Sequence, residues 1–255
     1  MKQLLAVGMS AAALASVLAL EIFQDREDRG SSDVRPEIEQ IVHSYLLDHP
    51  EILEAMQDEL GRRRTAAEIA RRKSALALHE EALLESGSDI VLGNPDGDVT
   101  VVEFFDYNCA FCKRALAGKL ELLSTDRDVR LVLKDFPILG IDSLEAAEVG
   151  VAVKMQVPNG DAYATFHSRL LGMEGRIDRT TALEVAATMG LDVDRIEQDA
   201  KSPEVRAILE ENMRLAEALG IEGTPTYVVG DAIVPGAMGA GGFLDLVAAA
   251  RRASD

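Results

Sequence analysis

The first apolar signal along the chain is continuous. Leu4 to Leu20 is apolar or small throughout, and Lys2 is the only charge before Glu21. A positive start followed by such a run reads as an export signal, with Val17-Leu18-Ala19 offering small residues for cleavage. The run is also nearly long enough to stay as a membrane anchor. It lacks the polar face of a core helix. Either outcome of export leaves Lys2 inside and the remaining chain outside the cytoplasm.

The pattern then becomes periodic. After the polar stretch Gln24 to Asp33, residues Ile38, Ile41, Val42, Tyr45 and Leu46 follow helical spacing. His49-Pro50 interrupts, and Pro50 suits the first turn of a second helix carrying Ile52, Leu53, Met56 and Leu60. From Arg62 to Glu85 the chain is rich in Ala, Arg and Glu, and Ile69, Leu76 and Leu83 recur every seven residues. The positions between them are polar, so the seam is narrower than that of a coiled coil. The pattern predicts a helical arm over 21–87 that must pack on the main domain or on copies of itself. Gly87 to Gly97 reads as linker and turn, with Asn94-Pro95-Asp96-Gly97 as turn chemistry.

Strand spacing follows. Val99 to Asp106 predicts a strand running into Asn108-Cys109-Ala110-Phe111-Cys112, then a helix with Leu116, Leu120 and Leu123 on one face, then a strand over Val129 to Lys134. This is a βαβ unit with the cysteines at the strand-to-helix junction. Pro137 and Gly140 close it. Residues 142–219 read as helices broken near Pro158, Gly172, Gly190 and Pro203. Strands return at Thr226–Val229 and Ala232–Val234, and a last helix runs from about Gly241 to Arg251. The expected fold class is therefore α/β, with a helical insertion at about 141–219.

Composition narrows the function. The formal charge of −18 argues against nucleic acid as a partner, because phosphates would be repelled. The chain holds only two cysteines, and they are three apart. A bridge across so short a loop restricts the unfolded chain little, so the pair does not read as a stability device. Two ligands cannot complete a zinc site, and none of the four histidines is near in sequence. The reading calls for no cofactor and no resident metal.

Redox chemistry is what this spacing offers. Cys109 is placed at a helix N-terminus, where unpaired N–H groups and the helix dipole favour a thiolate. Cys112, one turn on, can reach its sulfur and release a mixed disulfide. Cys109 is thus expected as nucleophile and Cys112 as resolving thiol. Glu103 alternates with Val101 and Phe105, so it points either inward beneath the cysteines, where it can accept the proton of Cys112, or onto an exposed face. Thr224-Pro225 precedes the next strand, and a cis peptide there would turn the Thr224 backbone toward another chain.

Phe104-Phe105-Asp106-Tyr107-Asn108-Cys109-Ala110-Phe111-Cys112 together with Gly223-Thr224-Pro225-Thr226 resembles the DsbA family of bacterial thiol oxidoreductases. The segment Asp135-Phe136-Pro137-Ile138-Leu139-Gly140 is similar to one in that family. The resemblance covers 88–255 and implies a thioredoxin-like fold with an inserted helical subdomain. It also implies a cis Pro225 opposite the cysteines, Glu103 as the buried acid, and a periplasmic or cell-envelope location. Ile38-Glu39-Gln40-Ile41-Val42 and Tyr45-Leu46-Leu47-Asp48-His49-Pro50-Glu51 resemble the N-terminal segment of ScsC-type relatives. Those are linked to copper tolerance, and some oligomerise through this segment and isomerise disulfides. The resemblance implies exported client proteins, a membrane redox partner and a homo-oligomer. Ala110-Phe111 lacks the histidine of the family's best-known oxidase, which implies a weaker oxidant. Isomerase is the favoured reading. The alternatives are an oxidase, or a non-catalytic copper-binding or chaperone protein holding Cu(I) on the two sulfurs.

Overall fold

The structure, a computed structural model, describes residues 34–157 and 160–254. The expected export segment 1–20 and the break at Pro158 lie outside the described residues. No helix among the described residues is long and apolar enough to cross a membrane. The chain divides into two compact units, Met1–Glu68 and Ile69–Asp255.

In the first unit, helix α1 spans 34–48 and stops at His49-Pro50, after which α2 (Glu51–Leu78) begins. A residue before proline is driven from helical backbone, which explains the stop. The apolar stripe of this unit is exposed, including Ile38, Ile41, Val42, Tyr45, Leu46, Leu53, Met56 and Leu60.

The second unit takes in the end of α2, so the expected arm of 21–87 is divided at Ile69. Leu76 and Leu83, the latter on α3 (Glu80–Leu84), are buried in one cluster with Val102, Phe104, Val132 and Val228 on the back of the sheet. Ile69 stays exposed. The seven-residue spacing is thus not one continuous seam, since only Leu76 and Leu83 cover the sheet and they do so from two helices, α2 and α3. The following segment is fastened by cations on a central strand. Arg130 donates to the Leu84 carbonyl, and Lys134 donates to the Ala82 carbonyl and to Asp89.

The sheet has five strands in the order β1-β3-β2-β4-β5. They are β1 (Ile90–Gly93), β2 (Val99–Phe105), β3 (Val129–Asp135), β4 (Thr226–Val229) and β5 (Ala232–Pro235). β2 and β3 are parallel, and the other neighbours are antiparallel. The first strand corrects the reading of 87–97 as linker and turn alone. Ile90-Val91-Leu92 is a short apolar run between turn residues, and pairing with Leu131 to Leu133 gives it a strand's hydrogen bonds.

Between β2 and β3 lies α4 (Ala110–Thr125), which carries the cysteines. Of its expected apolar face, Leu116 and Leu123 pack half-buried against the core and Leu120 needs correction. Leu120 is exposed, and the buried face is Cys112, Ala115, Gly118, Lys119 and Leu122. Small residues set that face because α4 lies close to α10 (Ala240–Ser254). A Cβ on Gly118 would meet the backbone nitrogen of Ala240 at 2.9 Å. The insertion contributes α5 (Ile141–Gln156), α6 (Gly160–Leu171), α7 (Arg179–Thr188), α8 (Val193–Ala200) and α9 (Pro203–Ala218). Asp178, Asp192 and Ser202 cap α7, α8 and α9 through side-chain oxygens, as such residues do at helix starts.

Candidate active site

Cys109 is the N-cap of α4, with extended backbone, while Lys113 N–H already bonds back to its carbonyl. The turn that delivers it from β2 is built by Asp106. One carboxylate oxygen accepts from Asn108 N–H at 2.7 Å, and the other from Ile138 and Leu139 N–H at 3.0 Å each. One side chain therefore holds both the approach to the cysteines and the loop after β3.

Both cysteines are free thiols, and their exposure differs little, 5% for Cys109 and 0% for Cys112. Their acidities diverge. The hydrogen bond from Cys112 is the largest influence on Cys109. With help from the Thr224 side chain and the N–H groups of Cys112 and Phe111, and against burial, it lowers Cys109 to about 5. The same bond, burial and the nearby Glu103 carboxylate push Cys112 far above the ordinary thiol range. One sulfur is thus a ready thiolate at neutral pH and the other a protonated donor.

Thr224-Pro225 is cis and faces the pair, and the Cys109 thiol lies 3.1 Å from the Thr224 carbonyl oxygen. Glu103 lies on the α4 side of the sheet, fully buried. One oxygen takes the Lys119 ammonium at 2.6 Å, and the other accepts from the Tyr227 hydroxyl at 3.3 Å. Cys109, Cys112, Glu103, Thr224 and Pro225 are thus gathered in one place, at the end of β2, the start of α4 and the start of β4.

Lys119 was not anticipated. Sequence reasoning placed leucines on the inner face of α4, and a lysine reads as a solvated position. The available signal was its spacing, two turns after Cys112, which puts both on one face. A buried lysine there needs an anion, and Glu103 is it. Tyr227 follows directly from the Thr224-Pro225-Thr226 motif and faces inward by strand alternation.

Further back lies a second polar group. Tyr107 and Tyr163 share a hydroxyl contact of 3.0 Å, and His167 Nδ1 lies 3.4 Å from Tyr107. Burial holds His167 neutral, well below the usual histidine range. Burial, aided by Asp106, raises Asp135 to about 8. For a metal, Cys109 and Cys112 offer two soft donors. Among the described residues no three His, Cys, Asp or Glu side chains are grouped to complete a site.

Comparison with known proteins shows what the chain is similar to. Residues 100–247 match the model of the DSBA-like thioredoxin domain, and 35–67 match the copper resistance protein ScsC N-terminal domain. A thioredoxin-like oxidoreductase of Silicibacter pomeroyi is 44% identical, with a TM-score of 0.63 over 68% of this chain and 97% of that one. A linker-deletion mutant of ScsC from Proteus mirabilis is 25% identical, with a TM-score of 0.66 over 86% of this chain and 95% of that one. Among curated sequences, an Na(+)/H(+) antiporter NhaA 1 of Salinispora arenicola is 27% identical over 166 residues, 63% of this chain. The chain spans about a quarter of the length of such antiporter relatives.

Proposed function

We propose, from the premise that the chain belongs to the DSBA-like thioredoxin domain family, that it is an envelope thiol–disulfide oxidoreductase leaning toward isomerisation of exported client proteins. Cys109 and Cys112 are its working pair. The observation that carries this reading is the split in acidity, with Cys109 lowered to about 5 and Cys112 raised beside it.

In the first step the Cys109 thiolate attacks a client disulfide. A Cys109–client bond forms, the client S–S bond breaks, and one client sulfur leaves as a thiolate. In isomerisation that thiolate attacks another sulfur of the client, and Cys109 is finally expelled with no net change in electrons. In reduction Cys112 passes its proton to Glu103 and attacks the Cys109 sulfur. The Cys109–Cys112 bond forms, the client sulfur leaves and takes a proton from water, and Glu103 releases its proton. Two electrons pass from the dithiol to the client. Oxidation is the reverse. Thr224 presents its carbonyl beside Cys109, where an extended client strand can pair.

A thiolate stabilised in the dithiol favours the reduced pair, which an isomerase uses, and equally makes the disulfide form more oxidising, so a membrane redox partner that keeps the pair reduced would set it to isomerisation. The arm supports the same reading. Its exposed stripe includes Ile41 at 68% and Leu53 and Met56 at 62%. Burying one such side chain stabilises by roughly 1.5–3 kcal/mol, so several per chain can offset an association cost of about 4–15 kcal/mol. Self-association through residues 34–68 would set several Cys109 sites around one misfolded client.

The test compares the full chain with a chain beginning at Ile69 by light scattering, insulin reduction and recovery of a client with scrambled disulfides. The full chain should be an oligomer that rescues the client. The shortened chain should be a monomer that still reduces insulin and no longer rescues. A monomer in both would remove the isomerase reading, and absence of insulin reduction in both would remove the oxidoreductase.

A further inference from the structure

The residues on either side of the Cys-X-X-Cys run both hold the same piece of the helical insertion. Asn108, directly before Cys109, bonds the backbone of Ile177 in both directions. Its Nδ2 donates to the Ile177 carbonyl at 2.8 Å, and its Oδ1 accepts from Ile177 N–H at 2.7 Å. The same Nδ2 lies 3.2 Å from Ser143 Oγ on α5. Lys113, directly after Cys112, donates from Nζ to the carbonyls of Met173 and Gly175, each at 2.8 Å. Arg176 pairs with Asp142 on α5.

The segment between these anchors has no helix or strand. Residues 172–176 are exposed, while Leu171 and Ile177 at its two ends are fully buried. Its backbone groups therefore have few partners of their own, and the residues flanking the cysteines supply them. The result is a strap pinned beside the thiols at both ends of the motif.

We infer that Asn108 and Lys113 are positioning residues, and that the strap 172–177 they fasten fixes the first turn of α4, the turn whose N–H groups favour the Cys109 thiolate. This rests on the oxidoreductase reading above and adds that the insertion controls the nucleophile. The physical link is the N-cap. Cys109 holds the N-cap position with φ −76 and ψ 114 and no full side-chain cap bond of its own, and from there the N–H groups of Phe111 and Cys112 favour its thiolate. Helix ends fray unless held, and here the holding bonds come from neighbours in the chain on each side.

Around Cys109 the titratable or charged groups on the described elements include Cys112, Lys113 and Arg114 on α4, Asp106 in the turn before it, Glu103 on β2 with Lys119, and Tyr227 on β4. Glu174 and Arg176 belong to the strap itself. Replacing Asn108 changes none of these charges, so Asn108→Ala in the full chain isolates the clamp. The Ile177 amide, whose hydrogen Asn108 Oδ1 accepts, should lose protection in hydrogen exchange. The thiolate titration of Cys109 should move up by about one pH unit toward the free-thiol range. Attack on a small disulfide should slow several-fold near pH of about 5 and change little near about 8. A loosened Ile177 amide with an unmoved titration, or an Ile177 amide that stays protected, would overturn the proposal.

Should Asn108→Ala fail to fold, Lys113→Met serves, read at low and at high salt. A rise in the titration that persists at high salt supports the strap. One that vanishes belongs to the missing charge, which salt screens, and overturns it. Both titration and exchange are read without any client. A wild-type protein that cannot exchange with a disulfide therefore refutes the function above and is told apart from a failure of the strap.

Discussion

The Lys119 ammonium stands 2.6 Å from the Glu103 carboxylate, and the two side chains are exposed by 3% and 0%. This ion pair lies behind Cys112, and its cation comes from the helix that carries that thiol. Removing one member of a buried pair strands the other charge, at a cost of about 3–5 kcal/mol, while removing both leaves an uncharged site. Lys119→Met and Glu103→Gln should each lower stability by that order. The double substitution should recover most of the loss. Equilibrium denaturation of the four proteins in the dithiol state checks this, and independent, additive losses would contradict it.

A trapping experiment separates the two thiols. In Cys112→Ser, Cys109 still attacks, but nothing resolves the product, so mixed disulfides with clients should accumulate. Cys109→Ser should trap none. Mass spectrometry of the adducts assigns the bonded cysteine, and adducts formed through Cys112 would reverse the roles.

The acidity of Cys109 sets a pH dependence. Its folded value of about 5 is below the free value of about 8.5. The dithiol form therefore gains stability that is fully present above about pH 8.5 and is lost as pH falls through about 5. The disulfide form has no such group. The stability gap between the two forms should move against the dithiol on acidification over that window, as read by denaturation of each. Cys112→Ala removes the largest cause of the low value, so in that variant the thiolate absorbance should titrate at clearly higher pH.

Truncation should be unequal on either side of α3. A chain beginning at Ile69 keeps Leu76 and Leu83, exposed by 8% and 2%. One beginning at Gly87 loses both and uncovers Val102, Phe104 and Val132, as well as the bonds from Arg130 and Lys134 to that segment. Two leucines at roughly 1.5–3 kcal/mol each predict a clearly lower melting temperature for the shorter chain. Equal melting temperatures would show that the back of the sheet does not depend on this cover.

Much of this was legible before any coordinates. The βαβ unit, the helical block and the ββα close are marked by spacing and by Gly and Pro breaks. The cysteines stand out because the chain has no others. What was hidden depended on contacts across the chain. Ile90-Val91-Leu92 is too short to show alternation, and only Leu131 to Leu133 make it a strand. Lys119 looks solvated until Glu103 is placed beneath α4. The face of that helix is only partly legible: Leu116 and Leu123 do pack on the core, but a hydrophobic count also favours the exposed Leu120 and passes over Gly118, where the approach of α10 leaves no room for a side chain. The clamping role of Asn108 and Lys113 gives no signal in the sequence, since the strap they hold is reached through backbone groups some sixty and more positions away.

The absence of a side chain at Gly118 divides α4 into two kinds of position. Toward α10 there is room for a hydrogen and little else. Two turns earlier, at the exposed N-terminal end of the helix, Ala110 and Phe111 both meet solvent, and the Arg114 guanidinium is stacked 4.0 Å over the Phe111 ring. Substitutions at 110 and 111 therefore meet solvent and the sulfur of Cys109, and leave the packing of the helix alone. A library confined to those two positions would sample electrochemistry on a constant scaffold, while variation on the inner face would sample mostly misfolded protein.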